Sequence, residues 1–199
     1  MKFIVHRINT IKALEKIPKK YGVEVDLRDY GNRLILQHDP FKDGEDFEEY
    51  LKHYDHGTII LNIKSEGIEV RVIDLLLKYK VKDYFFLDCS FPMIHLLSEQ
   101  GEKNIALRLS EFEGLDTIMN MKDKVNWVWV DCFKSFPLNS EAYEIIKNNK
   151  LKICVVSPEL QGRVNEIKFY IDFLRNNRFE INAVCSKIIN YNSWNNLLL

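Results

Sequence analysis

Short apolar runs alternate with stretches of helical periodicity along the chain, and this pattern constrains the fold more than any other feature. In Ile68–Tyr79, for example, Val72, Leu75 and Leu76 recur at helical spacing. Regular alternation predicts parallel strands joined by right-handed crossovers. The predicted strands are Phe3–His6, Val23–Arg28, Thr58–Lys64, Asp83–Cys89, Asn104–Leu109, Asn126–Phe133, Leu151–Val156 and Ala183–Ile188. The predicted helices are Thr10–Tyr21, Asp46–Tyr54, Ile68–Tyr79, Pro92–Glu99, Leu115–Met121, Ser140–Asn148 and Asn165–Arg175.

The number of strand–helix units predicts the architecture. Eight units within 199 residues favour a closed (β/α)₈ TIM barrel with short connections, and an open doubly wound sheet is the alternative. The segment Arg33–His38 is set apart as a hairpin that follows the second strand. Because no linker, repeat or low-complexity stretch interrupts the chain, we expect a single domain over residues 1–199.

Composition and charge exclude several classes of protein. The chain is 46% hydrophobic, which supplies one sizeable core, and its net charge of −1 indicates no nucleic-acid partner. It contains no apolar run of about 18 residues, so no integral membrane association is expected. The four cysteines lie far apart in or beside apolar runs, without zinc-ligand spacing, and predict buried free thiols in a reducing, cytoplasmic compartment.

The second strand carries two carboxylates in an otherwise apolar run. Side chains alternate along a strand, so Glu24 and Asp26 share one face while the valines and Leu27 share the other. The apolar face suits packing under helices, which turns the two acids into the barrel. Two close buried carboxylates need a compensating cation. The candidates are Mg²⁺ or Ca²⁺, which prefer oxygen ligands, or a salt-bridge network with Arg28, Lys64 or Arg108.

Two of the five histidines fall at predicted strand ends, where the chemistry of such a barrel lies. His6-Arg7 ends the first strand, and His38-Asp39-Pro40 ends the hairpin beside the acidic pair. The remaining histidines lie in helix or loop segments and are interpreted as structural or exposed: His53, His56 and His95.

Taken together and in order, these residues resemble the glycerophosphodiester phosphodiesterase family of the phosphatidylinositol-phospholipase-C-like superfamily. The family pattern is His-Arg after strand one, Glu-x-Asp on strand two, a turn, His-Asp-Pro, and Glu-x-Lys on strand three. This chain matches it with His6-Arg7, Glu24-Val25-Asp26, His38-Asp39-Pro40 and, in part, Asn62-Ile63-Lys64, all within residues 1–66. Two positions depart from the pattern: Ile8 replaces the usual glycine, and Asn62 replaces the glutamate that normally binds metal.

The resemblance implies a phosphodiesterase that acts on a small-molecule phosphodiester. Glu24, Asp26 and Asn62 would bind Mg²⁺ or Ca²⁺, and Asp88 at the next strand end is the best candidate for the missing carboxylate, ahead of Glu66. His6 and His38 would be the acid–base pair, since the ordinary pKa of histidine lies near neutrality. Arg7 and Lys64 would hold the phosphate.

Later strand ends supply further candidates for substrate binding, namely Arg108, Trp129, Asp131 and Glu159. Each also has a structural interpretation, as a salt bridge at the barrel mouth or, for Trp129, as core packing. Two other functions stay open: a phosphodiester lyase that releases a cyclic phosphate, and a barrel that binds a phosphorylated ligand without turnover. Ile8 and Asn62 favour the binding barrel, whereas the two strand-end histidines favour an enzyme.

Overall fold

The computed structural model describes residues 1–195 and confirms the alternation of strands and helices. The chain divides into two compact units, which we name the N-terminal unit (Ile4–Gln100) and the C-terminal unit (Met1–Phe3 with Gly101–Leu199). The described residues form ten strands: β1 Lys2–Val5, β2 Gly22–Tyr30, β3 Arg33–Leu36, β4 Glu45–Asp46, β5 Ile59–Ile63, β6 Tyr84–Leu87, β7 Ala106–Leu109, β8 Trp127–Val130, β9 Lys152–Val156 and β10 Ala183–Ser186.

Eight α-helices lie between or after these strands within residues 1–195. They are α1 Ile11–Leu14, α2 Phe47–Lys52, α3 Glu69–Lys78, α4 Phe91–Glu99, α5 Leu115–Met121, α6 Ser140–Asn148, α7 Ile167–Asn176 and α8 Tyr191–Asn195. Short 3₁₀ helices occupy Pro158–Gln161, Val164–Glu166 and Ile188–Asn190. Among residues 1–195, every helix is too short or too polar to span a lipid bilayer.

In the N-terminal unit the end of β1 (Ile4 and Val5), β2, β5 and β6 pair side by side and run parallel. The register places Asp26 of β2 opposite Asn62 of β5, and Asn62 opposite Leu87 of β6. The far half of β2 continues beyond this parallel region and forms the predicted hairpin with β3, in which Tyr30 pairs with Arg33. The hairpin therefore starts where the acidic pair of β2 ends.

In the C-terminal unit β7, β8, β9 and β10 also run parallel and pair in chain order. The amide of Lys2 donates to the carbonyl of Asn182, just before β10. Three cysteines of this unit are buried free thiols, Cys132, Cys154 and Cys185, whereas Cys89 of the other unit is half-buried. The alternating strands and helices of the described residues confirm the mixed α/β class.

The predicted helix Thr10–Tyr21 is wrong beyond its first turn. Thr10 caps α1 as expected, since its hydroxyl accepts a hydrogen bond from the amide of Ala13, but the helix ends at Leu14. Pro18 has no N–H to continue a helix, and it restricts the residue before it. Gly22 is the first residue of β2 and does not end a helix. Glycine suits this position because a Cβ there would collide with the carbonyl oxygen of Thr58 on the neighbouring chain segment.

Candidate functional site

Glu24 and Asp26 form the centre of a polar cluster in the N-terminal unit, and each is only 1% exposed. Glu24 accepts hydrogen bonds from the backbone amide of Arg7 (2.7 Å) and from the side-chain amide of Asn62 (2.9 Å). Asp26 is held twice by Asn9, whose Nδ2 donates to Asp26 Oδ2 (2.8 Å) and whose Oδ1 accepts from the Asp26 amide (2.9 Å). The two acids are therefore fixed by neighbours on two chain segments, the segment after β1 and β5.

The electrostatics of this pair is unfavourable in the absence of a cation. Burial, followed by the charge of Asp26, raises the pKa of Glu24 to about 7, although the hydrogen bonds from Asn62 and Arg7 and the charge of Lys64 act in the opposite direction. A carboxylate with a pKa this high gains from any positive charge placed beside it.

Two basic side chains approach Asp26 without enclosing it. Arg7 Nε lies 3.4 Å from Oδ2, and Lys64 Nζ lies 3.8 Å from Oδ1. Lys64 also lies 3.4 Å from a carboxylate oxygen of Asp88, so it links the two acids. Of the salt-bridge partners considered from the sequence, Lys64 thus contacts the acidic pair, whereas Arg28 donates to backbone carbonyls.

Two buried oxygens in this cluster accept no hydrogen bond from the described protein, namely Asp26 Oδ1 and Asn62 Oδ1. They belong to residues that face each other across β2 and β5, in adjacent strands about 4.8 Å apart. Carboxylate and amide oxygens are the ligands that Mg²⁺ and Ca²⁺ select. Glu24, Asp26 and Asn62 therefore fit a hard divalent cation, even though residues 1–195 contain no cluster of three His, Cys, Asp or Glu side chains with metal-binding geometry.

The two candidate catalytic histidines have different surroundings. His6 Nε2 lies 3.8 Å from Glu24 Oε2, and the His6 side chain is 23% exposed. The His38 ring is 43% exposed and contacts Asp39, with Nδ1 2.9 Å from Asp39 Oδ1. The hydrogen bond from His38, followed by those from Lys42, lowers the pKa of Asp39 to about 2. His6 thus belongs to the acidic cluster directly, and His38 is paired with its own carboxylate.

Arg28 connects the His38 segment to the end of β5. Its Nε and Nη2 donate to the carbonyl oxygen of His38 (3.2 and 3.0 Å), and its Nη1 donates to that of Lys64 (2.9 Å). The amide of Gln37 adds a hydrogen bond to the carbonyl of Asp26 (2.9 Å). The backbone positions of His38 and Lys64 are therefore set by one guanidinium group.

Two strand ends of the cluster adopt a left-handed backbone without glycine, Arg7 with φ 56° and Asp88 with φ 58°. Non-glycine residues in this region are uncommon and concentrate at functional sites. Ile8, at the position where the resembling family has glycine, is buried; its amide donates to the Glu24 carbonyl and its carbonyl accepts from Tyr50 Oη (2.9 Å). The isoleucine is therefore buried, and its backbone is bonded to Glu24 of β2 and to Tyr50 of α2.

The remaining sequence candidates lie in the C-terminal unit. Arg108 forms an ion pair with Asp131 and lies 3.5 Å from Glu113. Trp129 is 5% exposed and belongs to the core. Glu159 is 7% exposed and accepts hydrogen bonds at both oxygens, from Ser157, from Ser186 (2.5 Å) and from the Lys187 amide (3.0 Å). The structure thus brings Arg108 and Asp131 together. The oxygens of Glu159 accept hydrogen bonds from neighbouring groups of the same unit.

The sequence did not identify Asn9 as part of the cluster, and it gave Arg28 a different role. Arg28 has the same strand parity as Glu24 and Asp26, which was a usable signal that it points to the same side. Asn9 lies three residues beyond His6 in a segment predicted to cap and begin a helix. Only the folded chain brings its side chain back to Asp26.

No family model matches the chain, and no curated protein sequence matches it. Among solved structures, the fold is similar to the crystal structure of a glycerophosphoryl diester phosphodiesterase from Parabacteroides distasonis ATCC 8503. The TM-score is 0.68 and the sequence identity is 10%, over 100% of this chain and 87% of that chain. The two proteins therefore share a fold over their common length.

Proposed function

We propose that this chain is a metal-dependent phosphodiesterase that hydrolyses a glycerophosphodiester-like substrate to glycerol phosphate and an alcohol. The proposal includes a single (β/α)₈ barrel domain over residues 1–199. The observation that carries it is the pair of buried oxygens that accept no hydrogen bond, Asp26 Oδ1 and Asn62 Oδ1, in a cluster that also holds His6, Arg7 and Lys64. The fold shared with a glycerophosphoryl diester phosphodiesterase supports it.

The acidic cluster would hold the cation. Glu24, Asp26 and Asn62 would bind Mg²⁺ or Ca²⁺, with Asp88 as the further carboxylate in reach of Lys64. When bound, such an ion neutralises a phosphate oxygen and makes an attacking hydroxyl more acidic. Two carboxylates balance a divalent charge, so Asn62 can replace a third acid without leaving the site with net positive charge.

Arg7 and Lys64 are the phosphate-binding groups of the proposal. Both are held near Asp26 by ion pairs longer than 3 Å, and the Arg7 side chain is 47% exposed. An anionic phosphodiester can therefore reach these cations and compete for them. Arginine binds two phosphate oxygens at once, which orients the ester for in-line attack.

His6 and His38 are the proton-transfer groups. His6, beside Glu24, can accept a proton from the attacking hydroxyl, since the carboxylate stabilises the imidazolium that forms. His38 is oriented by Asp39, whose low pKa keeps it ionised, so that Nε2 is left to protonate the departing alkoxide. Arg108 and Asp131 are proposed to contact the leaving alcohol, whereas the burial of Trp129 and Glu159 fits the structural interpretation.

The test is an assay of a glycerophosphodiester with Mg²⁺ or Ca²⁺ and then with a chelator, followed by phosphorus NMR. We expect glycerol phosphate with the metal, none with the chelator, and a loss of about 10²–10⁴-fold in His6→Ala. The exposed helix residue His95 gives the matched control His95→Ala, which keeps full activity. Equal turnover by wild type and His6→Ala would contradict the proposal.

The same NMR experiment separates the two other functions. A cyclic phosphate that accumulates as the final product indicates a lyase, in which an adjacent substrate hydroxyl attacks and water does not follow. Saturable binding of glycerol phosphate and metal without any product indicates a binding barrel.

A further inference from the structure

Three successive backbone amides in the C-terminal unit converge on a single carboxylate. Directly after β8, the amide of Phe133 donates to Glu111 Oε2 (3.2 Å), and those of Lys134 and Ser135 donate to Glu111 Oε1 (2.5 Å each). The Ser135 hydroxyl lies 3.4 Å from the same oxygen. Successive N–H groups that point to one spot form a concave anion site of the type that binds phosphate. We name residues 133–135 the amide nest.

The amide nest is held in this shape independently of Glu111. Arg163 donates to the carbonyl oxygens of Lys134 (2.7 Å) and Cys132, and its guanidinium is itself fixed by Glu166 (2.7 Å). In a trans peptide the N–H points opposite to the C=O, so fixing these two carbonyls also orients the amides of Phe133 and Ser135. Two of the three donors are therefore supported by contacts that do not involve Glu111.

The surroundings of the nest suit an anion from solution. Phe133, Lys134 and Ser135 are all exposed. Lys134 Nζ lies 5.9 Å from the ring of Phe112, so one cation flanks the site, whereas Arg108, 5.6 Å from the ring of Phe133, is paired with Asp131 and Glu113. The two phenylalanine rings contact each other at 6.2 Å. An incoming ligand thus meets positive charge and an aromatic edge.

We propose that the amide nest is a phosphate-binding site, for inorganic phosphate or a phosphate monoester, and that Glu111 is its internal competitor. Glu111 belongs to the loop between β7 and α5, and its carboxylate occupies the donors in the absence of ligand. A tethered group acts at an effective concentration of the order of millimolar, so an external phosphate must exceed it. The site uses residues other than the acidic cluster and stands or falls separately from the phosphodiesterase proposal.

The test is an amide NMR titration with sodium phosphate at constant ionic strength. In wild type we expect the amide signals of residues 133–135 to shift together at millimolar phosphate. In Glu111→Gln, which removes the charge and keeps the length, we expect the dissociation constant to fall about tenfold or more. Glycerol phosphate in a parallel titration distinguishes a monoester from free phosphate.

Glu141→Gln is the matched control, because it removes the same single charge from an exposed position on α6, outside the loop that holds Glu111. We expect this variant to bind phosphate as wild type does. If the affinity for phosphate rises equally in both variants, the cause is the less negative net charge of the protein and the proposal is overturned. The proposal is also overturned if the amide signals of residues 133–135 do not respond to phosphate in wild type or in Glu111→Gln. The hydrogen bonds of Glu111 would then only join two loops.

Discussion

Two buried acidic sites in this molecule, Glu159 and the pair Glu24 and Asp26, differ in how many hydrogen bonds their oxygens accept. In the C-terminal unit both oxygens of Glu159 accept hydrogen bonds, and Ser157, one of the donors, is fixed in turn by Trp194 Nε1 (2.8 Å). In the N-terminal unit Asp26 Oδ1 accepts none. Although burial alone would raise it, the hydrogen bonds from Ser157 and Ser186 lower the pKa of Glu159, whereas the pKa of Glu24 is raised to about 7.

The difference teaches how to separate a structural carboxylate from a binding one. Burial removes a carboxylate from water in both sites, at a cost that must be offset. At Glu159 the chain itself supplies the donors, so the site is complete. At Glu24 and Asp26 the chain supplies only part of what two charges need, and we propose that a cation supplies the rest.

The largest expected effect is on turnover. Asp26→Asn removes one of the two charges that would hold the cation and the partner of Arg7 and Lys64. We expect kcat/KM for a glycerophosphodiester to fall by about 10³-fold, equivalent to roughly 4 kcal/mol of transition-state stabilisation. Glu159→Gln removes the same charge from the other site and is expected to retain at least half of wild-type activity. If both variants lose activity equally, the two sites are not functionally different.

The second effect is on kcat and is expected from Arg28, whose hydrogen bonds to the proposed site go to backbone carbonyls. Arg28→Met removes all three hydrogen bonds to the carbonyls of His38 and Lys64. We expect kcat to fall about 10–100-fold with a smaller change in KM, because small displacements of catalytic groups are costly. A shifted pH–rate profile would show that the variant acts through His38.

Arg33→Met is the control for that experiment. Arg33 lies on the same hairpin and pairs with Asp43 at the surface, away from both carbonyls. It should leave kcat and the pH profile unchanged. A pH–rate profile that is identical in Arg28→Met and wild type would show that Arg28 supports the fold alone.

The third effect is on stability. Glu159→Gln replaces a carboxylate that accepts from Ser186 and the Lys187 amide at Oε1 and from Ser157 at Oε2 by a group with one acceptor oxygen, so the buried donors at one of the two positions lose their acceptor. We expect the free energy of unfolding to fall by about 1–3 kcal/mol in urea titrations. Asn9→Ala, which removes two hydrogen bonds to Asp26, should cost about 1–2 kcal/mol in the same titrations. A Glu159→Gln protein as stable as wild type would mean that this network is not structural.

The smallest effect is a pH dependence of stability. The pKa of Glu159 is lower in the folded than in the unfolded chain, where it is near 4.5, so its stabilising contribution is complete above pH 4.5 and is lost as pH falls through the folded value. Glu159→Gln should therefore flatten the decline of the free energy of unfolding on the acid side of pH 4.5. Glu144→Gln, on the exposed face of α6, should leave that decline as it is in wild type.

The sequence predicted the mixed α/β class and several of the residues that meet in the acidic cluster, but only some of the contacts between them. Parity along β2 and the order of strand ends correctly brought Glu24, Asp26, Asn62 and Lys64 together, because the register of parallel strands follows from the strands themselves. The contacts of Asn9 and the carbonyl contacts of Arg28 depend on where loops return, which periodicity does not encode. Likewise, two of the donors to Glu159, Ser186 and the Lys187 amide, come from a strand end distant in sequence, and only Ser157 is local.

A calorimetric titration of Ca²⁺ and Mg²⁺ into chelator-treated protein tests the central claim most directly. Wild type and Glu159→Gln are predicted to bind one cation per chain with equal affinity, and Asp26→Asn is predicted to bind at least about tenfold more weakly because it leaves one carboxylate to balance a divalent charge. If wild type binds neither cation, or if Asp26→Asn binds as tightly as Glu159→Gln, the acidic cluster is not a metal site.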